Sequence, residues 1–190
     1  SFSLSNAFGA FFHNITGGLF ATVPDKAYGT AEWYRQLGRA SRNFALVADV
    51  TVAVLGGGLK TKQKLTGRLA DALSELYLLA CVLKRYEDDG RPATEQPLLA
   101  WAFHDSAHKI ELAMSGVLRN FPIRPAAWLL WLLVFPLGRR GQPPSDRLGR
   151  RAAALLMSPS DARDRLADGV FLTPCENNPA GRINAALGTV

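Results

Sequence analysis

His104 and His108 stand four residues apart, with Asp105 between them and Glu111 three residues further on. On an α-helix that spacing sets two imidazoles and a carboxylate on one face, the donor set of a two-histidine, one-carboxylate metal site. The run from His104 to His108 resembles the H-E-x-x-H zinc-helix pattern, with Asp105 in the glutamate's place. Aspartate is one methylene shorter and reaches a metal-bound water less well. The stripe His104, His108, Glu111 and Ser115 also lies about 100° from the apolar face of its helix. A solvated flank or a hydrogen-bonding edge between helices accounts for that position without a metal, and no metal site is assigned.

Asp49 is the second candidate. It lies inside the apolar run FALVADVTVAV, where an unpaired carboxylate would be costly. Arg42 stands two turns back, and Arg68 or Lys84 could reach it across a helical hairpin. A structural ion pair is the preferred reading over a catalytic base. No serine or cysteine nucleophile setting, dinucleotide fingerprint or paired-cysteine metal site stands out. GGGLKTK has the glycines of a phosphate loop but not its spacing, and an apolar helix rather than a strand precedes it.

The third candidate is the stretch from Pro125 to Pro136, PAAWLLWLLVFP. About a dozen apolar residues are too few to span a bilayer, which takes roughly 20. Trp128 and Trp131 suit the headgroup boundary, and Arg119, Arg124, Arg139 and Arg140 flank the run. An apolar wedge with a basic rim fits a helix lying in an anionic membrane surface. An ordinary buried helix with solvated or paired arginines fits as well. Nucleic acid is not expected as a partner, because the tryptophans sit in an aliphatic run and are not interleaved with the basic residues. From Arg119 to Arg151 seven arginines face Asp146 alone, a surplus equal to the net charge of +6 carried by all 190 residues. The charge therefore belongs to this segment.

Helices must position these groups. Leu65, Leu69, Ala72, Leu76, Leu79, Leu83 and Tyr86 recur at steps of three and four, so Leu65 to Gly90 is expected as one amphipathic helix about 40 Å long. Its other face carries Arg68, Asp71, Glu75, Lys84, Glu87 and Asp88. Before it, Thr30 is the expected N-cap of a helix burying Trp33, Leu37, Ala40, Phe44, Val47, Thr51 and Val54. That helix ends at Gly56, Gly57 and Gly58, which suit a C-cap or turn and close an αα-hairpin. A further helix from about Gln96 to Phe121 buries Leu99, Phe103, Ala107, Ile110, Met114, Val117 and Phe121, and Pro122 stops it. Ser1 to Ala21 reads as a helix or two short ones. Eight of eleven prolines lie from Pro122 onward, where short helices are expected at Ala126–Phe135, Ser145–Leu156 and Ser160–Ala167. The fold class is all-α: an antiparallel helical bundle (1–121) with a long αα-hairpin, then a Pro-rich basic extension (122–190) of short helices.

Hydrophobic content of 48% and charged content of 20% are those of a globular protein. Cys81, inside the long helix, is expected as a small buried thiol. No basic n-region leads into an apolar h-region at the start. The chain opens on Ser1 without Met and is read as part of a longer polypeptide.

Several blocks then match a known family in order and spacing: Phe44 to Asp49 (FALVAD), Leu55 to Lys60 (LGGGLK), Arg68 to Ser74 (RLADALS), Leu76 to Leu78 and Leu83 to Glu87 (LKRYE). They continue with Asn120 to Pro122, Phe135 to Arg139 (FPLGR), Pro144 to Asp146 and Asp164 to Leu166. Together they resemble the C-terminal region of the large bacterial, long-chain acyl-CoA dehydrogenases of fatty-acid β-oxidation, over nearly the whole chain. The resemblance implies an all-α region following a flavin-binding core. It implies that the parent enzyme converts acyl-CoA to trans-2-enoyl-CoA, a glutamate taking the α proton and FAD the β hydride. Electrons would then pass to an electron-transfer flavoprotein. The base and most FAD contacts are expected in the upstream core, and none of the six glutamates here, Glu75 and Glu87 included, matches the base. Catalytic and cofactor-binding residues are thus unassigned in this chain, and the fragment alone is expected to be inactive. Very-long-chain relatives carry membrane-associated C-terminal helices. By that analogy Trp128, Trp131, Arg124, Arg139 and Arg140 are the membrane-contact candidates of a homo-oligomeric enzyme, cytoplasmic and peripheral on the inner membrane. A non-catalytic membrane-surface or scaffolding module is the alternative.

Overall fold

A computed structural model describes residues 29–187. The helix expected over Ser1 to Ala21 lies outside the described residues. The rest is helical, with no strand among the described residues: α1 (Ala31–Leu55), α2 (Gln63–Asp88), α3 (Gln96–Arg119), α4 (Arg124–Val134), α5 (Asp146–Met157), α6 (Asp161–Ala167) and α7 (Pro179–Leu187). The chain divides into two compact units. Of the described residues the first takes 29–90 and 102–143, the second 91–101 and 144–187.

In the first unit α1 and α2 form the hairpin read from the sequence. Gly56 caps α1 with φ +47°, and its N–H returns to the Val52 carbonyl. The Gly56–Thr61 segment then winds one 3-10 stretch into α2. A positive φ strains a residue with a Cβ, so the glycine suits this place. At the open end the Thr30 hydroxyl donates to the Glu87 carboxylate, tying the two helices together. Thr30 thus stands at the N-cap position, but its side chain makes no capping bond.

α2 buries Leu65, Leu69, Ala72, Leu76, Leu79 and Leu83, the expected stripe. α3 returns antiparallel to it. Ser106 donates to Glu75 at 2.8 Å near one level, and Arg68 lies against Gly116 nearer the other end. Phe103, Ile110, Met114 and Val117 are buried along α3, again as expected. Trp33 of α1 packs on Phe103 with ring centroids 4.5 Å apart.

Two expectations need correction. Of the expected α1 stripe only Val47 and Thr51 are fully buried; they are joined in the seam by Asn43 and Leu46, which were not expected, and Val54 is exposed. The polar members of this seam are satisfied: Thr51 Oγ1 donates to the Val47 carbonyl at 2.5 Å, and Asn43 Nδ2 points at the Val134 carbonyl at 3.5 Å. Cys81 is exposed, because it falls on the side of α2 away from Leu79 and Leu83.

The second unit holds the short helices. Ser145 and Ser160 cap α5 and α6, accepting from Leu148 N at 3.3 Å and Arg163 N at 3.2 Å. Glu95, buried in the short 3-10 turn before α3, is paired with Arg165 of α6 at 2.7 Å. α7 was not expected. Asn178 starts it by accepting from Gly181 N at 3.2 Å, while its amide donates to the carbonyls of Phe171 and Thr173.

Candidate functional site

α4 begins at Arg124 with Pro125 in its first turn, where a missing N–H costs nothing. It runs eleven residues to Val134, about 16 Å at ~1.5 Å per residue. Ala127, Leu130 and Val134, spaced three and four apart, are buried. The opposite side presents Trp128, Leu129 and Leu132, which are 67%, 59% and 57% exposed. Ile123 just before the helix and Leu137 just after it are exposed too. The helix thus has apolar residues on both faces, and only one face is used by the fold.

The five residues singled out from the sequence do not form one group. Trp128 and Arg124 are exposed on α4, Arg124 donating to the Arg119 carbonyl at 3.0 Å. Trp131 turns inward: its ring lies 5.2 Å from that of Phe135, and the Arg119 guanidinium stands 6.0 Å from its centroid. Arg139 reaches the Ser115 hydroxyl of α3 at 3.4 Å. Arg140, next in the chain, lines a separate recess.

That recess, about 390 Å³, lies between α1, α2, α3 and the segment 140–142. Leu79, Phe103, Ile110 and Met114 form its floor, and Glu32, Gln36, Arg39, His104, Glu111 and Arg140 its polar wall. Burial pushes the Arg39 guanidinium below its ordinary pKa; Glu111 and Glu32 oppose that shift and Arg140 adds to it.

The histidine stripe of α3 builds one side of this recess. His108 Nδ1 donates to the Gly141 carbonyl at 2.9 Å, and Glu111 Oε2 accepts from Gly141 N at 2.8 Å. Both polar groups of one peptide unit's residue are therefore held by α3. His104 instead meets the Trp33 ring edge-on, with centroids 5.9 Å apart. Among the described residues no three His, Cys, Asp or Glu side chains are grouped as metal ligands. His108 and Glu111 hydrogen-bond the non-helical segment after α4 and clamp it to α3, rather than joining helix to helix. A Cβ at Gly141 would stand 3.0 Å from Glu111 Cδ and 3.1 Å from the Ala107 carbonyl. Gly141→Ala is expected to cost about 1–3 kcal/mol by overpacking this contact and to speed limited proteolysis within residues 136–143. An unchanged cleavage rate would mean the clamp does not hold that segment.

Asp49 is half-buried on α1 rather than enclosed. The stretch Ala31–Thr61 is long and apolar enough to cross a membrane by length and composition alone. Its buried seam against α2 accounts for part of that apolar content.

The recess does not suit a dinucleotide of the size of FAD. Its volume fits only a fragment of one, and three of its walls are helix interiors whose N–H groups are already spent within the helices. No step of flavin chemistry is derived from these residues.

The model of the family described as acyl-CoA dehydrogenase, C-terminal, bacterial type, matches residues 1–190. No solved structure matches the chain.

Proposed function

We propose, from the premise that this chain belongs to the bacterial-type acyl-CoA dehydrogenase C-terminal family, that it is the non-catalytic helical region of a flavin-dependent acyl-CoA dehydrogenase and holds that enzyme to an anionic membrane surface. The full enzyme takes a long-chain acyl-CoA to the trans-2-enoyl-CoA and passes electrons to an electron-transfer flavoprotein. FAD and the catalytic base belong to the remainder of the enzyme, which is a homo-oligomer at the inner face of the membrane. In this reading residues 1–121 serve as the scaffold against the core, and residues 122–190 carry the membrane contact.

The observation that carries the membrane role is the outer face of α4. Trp128, Leu129 and Leu132 are solvent-facing on a helix already anchored by Ala127, Leu130 and Val134. Arg124 stands, exposed, at its start. A tryptophan and two leucines give apolar insertion at headgroup depth, and each arginine near an anionic surface adds about 1 kcal/mol.

The test uses vesicles and turnover together. The 190-residue chain should co-sediment with vesicles containing phosphatidylglycerol, less so as salt rises, and should not oxidise palmitoyl-CoA when given FAD and an electron acceptor. Binding to neutral and anionic vesicles alike, or to neither, would defeat the membrane role. Turnover by this chain alone would defeat the non-catalytic one.

A further inference from the structure

One end of the first unit gathers cations with no acid among them. Arg68, near the start of α2, lies against Gly116, near the end of α3. The start of α2 and the end of α3 therefore share an end of the bundle with the α1–α2 turn. Lys60 and Lys62 stand in that turn and Lys64 in the first turn of α2, with Arg119 closing α3 and Arg124 opening α4. All five are exposed, and none forms an ion pair among the described residues. Arg124 donates only to the Arg119 carbonyl. No Asp or Glu occurs from Val50 to Ala70 or from Leu112 to Ser145. Asp49 and Asp71 lie about two turns back along α1 and α2. The surplus at this end is thus uncompensated.

The turn that carries the lysines is a built one. Thr61 Oγ1 donates to the Gly58 carbonyl at 2.9 Å, and Thr66 Oγ1 to those of Leu59 and Lys62 at 3.0 and 3.3 Å. Lys62 N adds a bond to the Leu59 carbonyl at 3.1 Å. The backbone is held before any partner arrives, which lowers the entropic cost of binding. The lysines themselves work against stability. They crowd the positive end of the α2 dipole, whose first turn has no acid and whose N-cap, Lys62, makes no side-chain capping bond. A local rule broken at an exposed place points to binding rather than folding.

Exposed apolar side chains lie beside these charges: Val52 and Val54 in the last turn of α1, and Ile123 just before α4. Amines on long apolar stems, with aliphatic groups among them, suit phosphate headgroups above hydrocarbon. A single-stranded nucleic acid would call for aromatics interleaved with the cations.

We infer that the α1–α2 turn, with Arg119 and Arg124 beside it, is a second lipid-contacting surface that engages the headgroups of an anionic bilayer. The inference rests on the reading that this chain meets such a membrane. It carries the contact into residues 1–121: the turn supplies electrostatic attraction, and the outer face of α4 supplies apolar insertion.

The test is co-sedimentation of the 190-residue chain with phosphatidylglycerol vesicles and with neutral phosphatidylcholine vesicles, at low and high salt. Lys60→Gln combined with Lys62→Gln and Lys64→Gln should weaken anionic-vesicle binding roughly 100-fold at low salt, and the loss should shrink as salt screens the surface. The Tm of this variant should not fall, because the α2 N-terminus is relieved of charge; lost binding is then not lost folding. Arg147→Gln with Arg150→Gln and Arg151→Gln removes the same charge from exposed positions of α5 and should cost less than about fivefold. If the lysine variant binds as the wild type does while Trp128→Ser with Leu129→Ser and Leu132→Ser loses binding, the turn is overturned and the membrane reading stands. The reverse result upholds the turn and removes the α4 face from the contact. Equal losses in the lysine and α5 variants would reduce the effect to net charge and overturn the turn. A wild type with no preference for anionic vesicles would overturn both readings. Poly-glutamate bound as tightly as the vesicles, and released by the lysine substitutions, would assign the surface to an acidic polypeptide and overturn the lipid.

Discussion

Phe103→Ala lowers the unfolding free energy of this chain by about 3–5 kcal/mol, the usual cost of emptying a buried aromatic site. Phe103 is 1% exposed and stands where α1 meets α3, its ring tilted 54° against that of Trp33. Removing it takes away the transfer energy of the ring and leaves a void that long, packed helices close poorly. The aromatic pairing with Trp33 contributes a further ~1 kcal/mol within that range. For a chain of this length the change corresponds to a fall of roughly 10 °C or more in Tm. Leu112→Ala is the matched control, since Leu112 sits on the same helix but is 52% exposed; its effect should stay within about 0.5 kcal/mol. Guanidinium unfolding followed by far-ultraviolet circular dichroism measures both. If the two variants unfold alike, α1 and α3 do not share the core described above.

The helices that the sequence made legible are those with an unbroken apolar stripe at steps of three and four. In α2 and α3 the buried sets agree with that periodicity almost residue for residue, although Leu73, Tyr77 and Leu78 of α2 and Trp101 and Leu112 of α3 are exposed. α1 misled in part because Phe44 to Leu55 is apolar except for Asp49 and Thr51, so periodicity marks its face only weakly there. Val47 and Thr51 lie on the expected face; the seam also contains Asn43, whose amide faces the Val134 carbonyl, and no hydropathy pattern encodes such a partner. The same reasoning separates Trp128 from Trp131. Three residues apart on a short, wholly apolar helix, they look alike in sequence, and only the Phe135 ring and Arg119 decide that Trp131 turns inward. α7 carried a readable signal, an N-cap Asn178 followed by Pro179 at the first helical position. The recess could not be read at all. Arg39 and Arg140 lie 101 positions apart in the chain, and the Gly141 clamp that brings them to one cavity is a tertiary event. His108 and Glu111 were singled out correctly as a polar edge, whereas the glycine they hold carries no chemical signature of its own.

The outer face of α4 separates membrane binding from stability more sharply than any other part of the chain. Trp128→Ser combined with Leu129→Ser and Leu132→Ser removes three exposed side chains, so the fold should lose at most about 1 kcal/mol. Each of these groups would otherwise contribute about 1–2 kcal/mol by leaving water for the interfacial region. Together the loss is ~3–6 kcal/mol, or a fall of roughly 10²–10⁴-fold in partitioning onto phosphatidylglycerol vesicles. Trp131→Ala should behave oppositely. It opens a gap against Phe135 and releases Arg119, costing about 2 kcal/mol of stability, while vesicle partitioning changes less than about threefold. Arg124→Gln should act through charge alone, weakening binding at low salt and losing its effect as salt screens the surface. Co-sedimentation and denaturant unfolding, run on the same four proteins, give each variant a position on two axes. Should the triple serine variant bind as the wild type does, or should Trp131→Ala lose vesicle binding as fully as the triple variant, the outward face of α4 is not what meets the lipid.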